Sequence, residues 1–306
     1  MTAHEATRAR TICRWQLRTR SLELGRRTLV MGVVNITPDS FSDGGLFIAP
    51  DAAVAHALQL LEEGADLIDL GAESTRPGSN AGGGSPTVSA NEEQARLLPV
   101  LTEVLKARPD AVISVDTYKA ATARAAEAAG AEIVNDVSGL TWDKELAAVC
   151  GEGGCGVILM HTRGRPDEWR GQGQLESDAL IETVRSGLAA SLETAATAGV
   201  ATDRIVLDPG YGFGKRLGEN FSLLARQGEL LALGRPLLAG VSRKSFLGHA
   251  LASLYGGKPA PLEARETAGM AALVAAILHG ASIVRTHDVL AAVEAARVAD
   301  AILGEQ

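Results

Sequence analysis

The stretch LEEGADLIDL, residues 61–70, joins a helix-like segment to a short aliphatic run through a single glycine. A glycine at a helix C-terminus followed at once by a strand is typical of the corner between a helix and the next strand of an α/β protein. The pattern recurs in EAAGAEIVND (127–136), GEGGCGVILM (151–160), ATAGVATDRIVLDP (196–209) and LHGASIVRTHD (278–288). These corners predict that helices and strands alternate along most of the chain.

Three further aliphatic runs lack such a corner: TLVMGVVN (28–35), AVISVD (111–116) and PLLAGVS (236–242). All eight runs are continuously apolar, as strands buried on both faces of a parallel sheet should be. Helical stretches rich in Ala, Leu and Glu follow them at about 51–64, 91–107, 118–129, 143–153, 178–198, 219–232, 263–279 and 288–303. Eight strand–helix units predict a single (β/α)8 TIM barrel. The alternative is an open doubly wound sheet, but no GxGxxG follows the first strand.

Residues 11–27 alternate apolar and polar side chains, which predicts a β-hairpin that closes the bottom of the barrel. We therefore divide the chain into an N-terminal extension with this hairpin, residues 1–27, and the barrel, residues 28–306. The Gly- and Ser-rich segment 79–87 falls inside the second unit, so we interpret it as a loop rather than a domain boundary.

The composition narrows the class of protein. A formal net charge of −8 argues against a nucleic-acid partner, which normally requires a basic face. No apolar run reaches the roughly 18 residues of a membrane span, and no secretory signal is apparent. The three cysteines, Cys13, Cys150 and Cys155, form neither a CxxC pair nor a disulfide framework, which predicts buried thiols in a reducing cytoplasm.

Chemistry-bearing side chains stand at or near the end of every predicted strand. They are Asn35; Asp69, Glu73, Thr75 and Arg76; Asp116; Asn135 and Asp136; Met160 and His161; Asp208; Ser242, Arg243 and Lys244; and Arg285 and His287. In a barrel these ends meet at one mouth, where the active sites of this fold lie. We assign Asp136 and Asp288 to capping of turns or helices instead.

The remaining set has two chemical halves. Asp116, Asn135 and Asp208 offer acceptors and one amide, which suit a flat heterocycle with a donor-rich edge such as a 2-amino-4-oxopyrimidine ring. The cations Arg76, Lys244, Arg285 and His287 suit phosphate or pyrophosphate. The alternative is that these charges pair with one another as salt bridges around the rim.

Long segments of this sequence resemble dihydropteroate synthase. They are MGVVNITPDSFSDGG (31–45), LIDLGAESTRPGS (67–79), LDPGYGFGK (207–215) and GVSRKSFLG (240–248), supported by ISVDT (113–117), EIVNDVSG (132–139), LMH (159–161) and VRTHDV (284–289). The resemblance runs in order from about residue 28 to 303. It implies a TIM barrel that condenses 6-hydroxymethyl-7,8-dihydropterin pyrophosphate with 4-aminobenzoate, giving 7,8-dihydropteroate and pyrophosphate with Mg²⁺.

The resemblance also implies a role for each matching residue. Asn35 is expected to ligate Mg²⁺; Asp116, Asn135, Asp208 and Lys244 to bind the pterin; Thr75, Arg76, Arg285 and His287 to bind the pyrophosphate; and Phe41, Pro77, Phe213 and Ser245 to bind aminobenzoate. Asp43 is expected to act in catalysis from the first mobile loop, together with Asn35, Arg76, Lys244, Arg285 and His287. A homodimer through the last helices, with AGMAALVAAILHG (268–280) at its interface, is a further expectation from the family.

Two other functions are compatible with a pterin-binding barrel. One is a methyltetrahydrofolate-dependent methyltransferase, in which the cations of SRKSF (242–246) and RTH (285–287) would have no pyrophosphate to bind. The other is a non-catalytic pterin-binding paralogue, although Asn35, Arg76 and Lys244 are all retained. The chain departs from the family pattern at Ala72 and Thr286, at Thr162 and Arg163 in LMHTRGRPDEW (159–169), and in a longer loop at 79–87.

Overall fold

The computed structural model describes residues 10–36, 50–75, 79, 81–82 and 88–305. The chain begins with an antiparallel hairpin of two short strands, β1 (Cys13–Gln16) and β2 (Ser21–Leu24). This is the hairpin that the alternating pattern predicts. The division of the chain at residue 27 stays a prediction.

Eight parallel strands then close into a barrel in chain order. They are β3 (Leu29–Asn35), β4 (Leu67–Gly71), β5 (Ile113–Asp116), β6 (Ile133–Asp136), β7 (Gly156–Met160), β8 (Ile205–Asp208), β9 (Leu237–Ala239) and β10 (Ala281–Thr286). Each strand pairs with the next, and β10 pairs with β3 to close the ring. The predicted (β/α)8 barrel is confirmed, and the doubly wound alternative is wrong.

Helices connect the strands on the outside of the barrel. They are α1 (Pro50–Glu62), α2 (Ala90–Ala107), α3 (Ala120–Ala128), α4 (Leu146–Gly153), α5 (Ser177–Thr197), α6 (Leu217–Arg226), α7 (Ser245–Ala250), α8 (Glu266–Leu278) and α9 (Val289–Gly304). Short 3₁₀ turns add Trp169–Gly171, Thr202–Arg204, Gln227–Leu233, Ala252–Tyr255 and Leu262–Arg265. The helix predicted at 219–232 ends at Arg226, and the chain continues as the 3₁₀ helix Gln227–Leu233. The short helix α7 lies outside the eight helical stretches predicted above.

The glycines at the predicted corners end each helix before the next strand begins. In LEEGADLIDL, Gly64 has a φ of +103°, and Gly130, Gly154, Gly199 and Gly280 in the other four stretches also have positive φ. This left-handed conformation ends a helix at little cost only for glycine. The corner glycines therefore turn each helix back towards the barrel.

The hairpin plugs the N-terminal end of the barrel. Trp15, Leu17 and Leu24 are buried and pack in one cluster with inward-facing strand residues such as Met31 and Ile158. The indole Nε1 of Trp15 donates to the backbone carbonyl of Arg204 at 2.8 Å, so the polar edge of the ring is satisfied. A sealed lower end leaves the opposite, C-terminal end of the strands as the open mouth.

Two smaller expectations can be compared with the structure. Cys150 and Cys155 are buried, as predicted, whereas Cys13 on the hairpin is half-buried. Over the described ranges 10–36, 50–75 and 88–305, no helix combines the length and the apolar character of a membrane span.

Candidate active site

A cavity of about 400 Å³ opens at the C-terminal ends of the barrel strands. Nine of the ten predicted site residues that the structure describes line it: Thr75, Asp116, Asn135, Asp208, Phe213, Lys244, Ser245, Arg285 and His287. These residues come from six of the eight strand–helix units, so the barrel topology brings them together. The predicted convergence at one mouth holds for these nine residues.

The other predicted residues differ in their position. Asn35 ends β3 at the same edge of the barrel and is half-buried, but it does not line the cavity. Phe41, Asp43, Arg76 and Pro77 lie outside the described residues.

Asp69 joins the two chemical halves of the site. Its Oδ2 accepts from Nε of Arg285 at 2.7 Å and from Nδ2 of Asn135 at 3.0 Å, and the side chain has no exposed surface. Nη2 of Arg285 also donates to Oδ2 of Asp116 at 3.1 Å. The salt-bridge alternative therefore holds for Arg285, which is paired with two carboxylates. The sequence analysis assigns no role to Asp69. The feature that could have indicated one is a charged residue in the middle of a buried aliphatic strand.

The electrostatics of Asp116 follow from its burial. Desolvation raises the pKa of Asp116 to about 7, the Arg285 guanidinium opposes that rise, and the carboxylate of Asp69 adds to it. Desolvation also raises the pKa of Asp136 to about 6. Asp136, however, accepts from the backbone N–H groups of Ser138 and Leu140, so it caps a turn as predicted.

Asp208 and Lys244 both line the cavity and interact electrostatically. Burial raises the pKa of Asp208, and the neighbouring Lys244 and Lys215 oppose that rise. Burial lowers the pKa of Lys244 to about 8, and the Asp208 carboxylate opposes this. Burial disfavours the charged form of both groups. A ligand that hydrogen-bonds to them would therefore meet a strongly polar wall of the cavity.

Phe213 forms the apolar part of the same wall. The Nζ atom of Lys244 lies 4.1 Å from the centroid of the Phe213 ring, which is cation–π geometry. Trp169 also packs edge-on with Phe213, with 5.2 Å between the ring centroids. Trp169 also lines the cavity and was missed from the sequence, because it comes from an irregular segment with no periodic pattern.

The segment after β9 is a tight turn rather than an extension of the strand. The strand ends at Ala239, and Arg243 has a φ of +58°, which is unusual for a residue with a side chain. Nη1 of Arg265 donates to the carbonyl of Arg243 at 3.3 Å, and Nδ1 of His287 lies 3.1 Å from Oγ of Ser242. This turn presents Lys244 and Ser245 to the cavity, and Ser245 is the first residue of α7.

His161 does not join the mouth, contrary to the expectation from the strand ends. Met160 lines the cavity, whereas His161, the next residue, is buried against α5 beside Gly187. Successive residues of an extended segment point to opposite faces, so only one of the two can face inward. Burial lowers the pKa of His161, in agreement with a packing role.

Comparison with known proteins agrees with this geometry. Residues 31–287 match the family described as pterin binding enzyme. A curated dihydropteroate synthase of Synechocystis is 43% identical over 278 residues, covering 91% of each chain. The Yersinia pestis dihydropteroate synthase structure with a sulfonamide drug is 38% identical with a TM-score of 0.85, covering 96% of this chain and all of that chain.

A third relative is the Burkholderia cenocepacia dihydropteroate synthase structure in complex with 7,8-dihydropteroate, at 38% identity and a TM-score of 0.80. It covers 96% of this chain and 98% of that chain. The chain therefore belongs to the pterin binding enzymes. Within that class it is a member of the dihydropteroate synthase family, and the predicted resemblance and its principal function are confirmed.

Proposed function

We propose that this protein joins 6-hydroxymethyl-7,8-dihydropterin pyrophosphate to 4-aminobenzoate in a Mg²⁺-dependent reaction, with the cavity residues in the roles described below. The observation that carries the proposal is the cavity itself. Its lining combines the acceptors Asp116, Asn135 and Asp208 with the cations Lys244 and Arg285 at the barrel mouth. Acceptors beside cations suit a substrate that is a donor-rich ring at one end and a polyanion at the other.

The pterin belongs in the deeper, acceptor-rich part. Asp116 and Asp208 would accept hydrogen bonds from ring N–H groups, and Lys244 would donate to a ring oxygen or nitrogen. Asn135 is held by its donation to Asp69, which leaves its amide oxygen as an acceptor for the ring. Four side chains from four strand ends would thus fix the plane of the heterocycle.

The pyrophosphate belongs beside Thr75, Arg285 and His287. Arg285 uses Nε and Nη2 for Asp69 and Asp116, so its second terminal nitrogen, Nη1, is the part that can donate to a phosphate oxygen. Because the guanidinium is already oriented, little reorganisation is needed when the leaving group develops charge. Arg76, from the second loop, is proposed to complete this subsite.

Asn35 is chemically suited to Mg²⁺. It ends β3 at the mouth and offers a neutral amide oxygen, the kind of hard ligand that Mg²⁺ accepts. Among the described residues, no group of three or more His, Cys, Asp or Glu side chains could hold a metal by itself. One protein ligand completed by substrate oxygens and water is a normal arrangement for Mg²⁺, which would neutralise charge on the leaving pyrophosphate.

The chain's own residues supply binding, electrostatics and shelter from water. In a dissociative order of events, the C–O bond to pyrophosphate breaks first and the electron-rich pterin carries the positive charge. The carboxylates of Asp116 and Asp208 would stabilise that charge, and Arg285 and His287 would stabilise the departing anion. The neutral amine of aminobenzoate, aligned on Phe213, would then attack the cation without needing an activating base. The C–N bond forms, and the amine loses one proton to the released pyrophosphate.

The two loops that contain Phe41, Asp43, Arg76 and Pro77 are proposed to close over the reacting groups. Closure would exclude water, which would otherwise hydrolyse the pterin cation. Phe41 and Pro77 would add apolar walls to the aminobenzoate subsite, and Asp43 would face the cation. Ser245 would contact the carboxylate of aminobenzoate; α7 is only six residues long, so we assign this contact to Ser245 rather than to the helix dipole.

We further propose a homodimer and a cytoplasmic location. The exposed apolar side chains Leu290, Val298 and Ile302 on α9 support a partner for the last helices. The three free cysteines, two of them buried, support a reducing compartment. Light scattering of the purified protein would test the dimer.

A pyrophosphate-release assay tests the catalytic proposal. The parent protein is given 6-hydroxymethyl-7,8-dihydropterin pyrophosphate with and without 4-aminobenzoate, and 7,8-dihydropteroate is measured in parallel. Release that depends on aminobenzoate and equals the product formed supports the proposal. No release despite pterin binding would indicate the non-catalytic paralogue, and methyl transfer from methyltetrahydrofolate to a corrinoid would indicate the methyltransferase.

A further inference from the structure

Lys215 is a buried cation next to the site that the mechanism above does not use. It follows β8 in the segment DPGYGFGK, residues 208–215, and only 7% of its surface is exposed. Its Nζ atom donates to three backbone carbonyls, those of Gly210 at 2.8 Å, His161 at 3.1 Å and Phe213 at 3.3 Å. An ammonium has three N–H donors, so all of them are used.

These bonds connect the end of β7 with the loop that follows β8. Gly210 has a φ of +72°, and a side chain there would meet the His161 carbonyl at 1.9 Å, so the loop passes directly over the end of β7. Gly212 and Gly214 also have positive φ. A loop with three such glycines has many conformations to lose on folding. The hydrogen bonds from Lys215 Nζ tie this loop to the end of β7.

The burial of Lys215 is not explained by an ion pair. Within the described part of the chain, no carboxylate lies within salt-bridge distance of its Nζ, and burial lowers its pKa to about 7, with Asp208 opposing. Burying a cation against carbonyls alone costs free energy unless the hydrogen bonds are well formed. The role of the buried Lys215 is therefore to hold this loop through its hydrogen bonds.

That loop presents groups for both proposed substrates. The N–H of Gly210 donates to Oδ1 of Asp208 at 2.7 Å, which orients the carboxylate proposed for the pterin. Phe213, whose carbonyl Lys215 holds, carries the ring under Lys244. Displacing the loop would thus move the acceptor for one substrate and the wall for the other.

We propose that Lys215 is a positioning residue. It fixes Asp208 and Phe213 in the orientation that the two substrates need and does not itself contact either substrate. This inference rests on the proposed function. The inference goes beyond the proposed function because it assigns the orientation of both subsites to one buried side chain.

Arg204 provides a matched control at the other end of β8. It is equally buried, and among the described residues its side chain donates to backbone carbonyls alone, from Nε to Cys155 at 2.8 Å and from Nη2 to Cys150 at 2.7 Å and to Cys155. It lies at the N-terminal end of the barrel beside the hairpin, away from the cavity. Lys215→Met and Arg204→Met each remove one buried cation from three carbonyl contacts, but only the first should disturb the substrates.

The test compares kcat, both KM values and the urea unfolding midpoint for the parent and the two variants. We expect Lys215→Met to raise the KM for aminobenzoate and for the pterin substrate, with kcat/KM falling roughly 10- to 100-fold. Arg204→Met should lower the unfolding midpoint and leave both KM values at parental levels. Parental KM values in Lys215→Met would overturn the proposal, because the residue would then be only structural.

Lys215→Arg decides the question if the methionine variant does not fold. Arginine keeps the charge, but a planar guanidinium does not direct three donors at converging carbonyls as an ammonium does. A several-fold rise in the KM for aminobenzoate in this variant supports the proposal, and a parental value overturns it. If the parent itself forms no dihydropteroate, the proposed function fails first, and this inference fails with it.

Discussion

Nε of Arg285 on β10 lies 2.7 Å from Oδ2 of Asp69 on β4, a carboxylate with no exposed surface. The same oxygen accepts from Asn135 on β6, so one buried carboxylate orients two residues proposed for different parts of the substrate. A guanidinium that is oriented before the substrate binds is the arrangement that electrostatic catalysis requires. We therefore regard Asp69 as the residue on which the relative position of the two subsites depends.

Replacing Asp69 by asparagine should destabilise the protein strongly. The change leaves Arg285 with Asp116 as its one carboxylate partner among the described residues and sets two amides, those of residues 69 and 135, against each other. Breaking a buried pair by removing one partner typically costs about 3–5 kcal/mol of unfolding free energy. Urea unfolding followed by circular dichroism measures this loss.

Asp178→Asn is the control for this experiment. Asp178 pairs with Arg226 at the surface, and its side chain is 94% exposed. The urea unfolding midpoint of the Asp178→Asn variant should therefore equal the parental midpoint. Equal midpoints for Asp69→Asn and Asp178→Asn would show that the buried pair does not stabilise the barrel mouth.

The sequence was sufficient for the parts of the site that are set by local pattern. Corner glycines such as Gly64 and aliphatic runs locate the strands, and the barrel topology then brings Asp116 and Asp208 together whatever the details of packing. Pairings between distant residues have no such signal. Asp69 and Arg285 are 216 positions apart, and nothing in either segment indicates that they meet.

Two further features were missed for physical reasons. The partners of Lys215 are backbone carbonyls, which every residue has, so no residue type marks them in the sequence. His161 was placed at the mouth because it ends an aliphatic run, but the alternation of side chains along that run gives the inward position to Met160. Strand ends are thus predictable, whereas the face on which a given end residue lies depends on register.

Replacing Asp116 or Asp208 by asparagine should weaken pterin binding while leaving the fold intact. An amide in place of the carboxylate leaves at least one ring N–H donor without an acceptor, which costs about 1–3 kcal/mol, or roughly a 5- to 150-fold loss of affinity. Calorimetric titration with 6-hydroxymethylpterin measures the effect. Asp288→Asn is the control, because asparagine caps a helix as well as aspartate does and Asp288 caps α9. Parental affinity in both cavity variants would refute the assignment of the pterin subsite.

Pterin affinity should rise with pH across the titration of Asp116. Burial raises the pKa of this carboxyl to about 7, so below that pH it is protonated and cannot accept from two ring donors. Affinity should increase between pH ~5.5 and ~7.5 and then level off, and the dependence should be smaller in Asp116→Asn. Calorimetry at several pH values checks this, and a flat profile in the parent would contradict it.

The same shift predicts the opposite trend for stability. The folded protein holds the Asp116 proton more tightly than the unfolded chain does, since the ordinary pKa is 3.8 and the folded one about 7. The stability that this group contributes is therefore fully present below the unfolded value and declines as the pH rises through the folded value. Asp116→Asn should remove this decline, which urea unfolding across the range can measure.

Asn35→Ala should reduce Mg²⁺-dependent turnover far more than pterin binding. The substitution would remove the proposed oxygen ligand at the end of β3, and Asn35 is not among the residues that line the cavity. The Mg²⁺ concentration for half-maximal rate should increase, while the affinity for 6-hydroxymethylpterin stays parental. An unchanged Mg²⁺ titration would remove Asn35 from the metal site.

Sulfonamides should inhibit this protein competitively with 4-aminobenzoate. A sulfonamide keeps the aniline ring, which would align on Phe213, and carries an acidic group in place of the carboxylate, which would lie towards Ser245. Phe213 contacts both Lys244 and Trp169, and these two neighbours restrict the orientation of its ring. Initial rates against aminobenzoate at several sulfamethoxazole concentrations should show a rising apparent KM at constant kcat.

Phe213→Ala should raise the inhibition constant and the KM for aminobenzoate together, by roughly 10-fold or more if the aryl contact is lost. Phe221→Ala is the matched control, because Phe221 is a half-exposed phenylalanine on α6 that packs edge-on against Phe246 and does not line the cavity. An apparent KM that does not change with the drug, or equal effects of the two alanine variants, would show that aminobenzoate does not bind against Phe213.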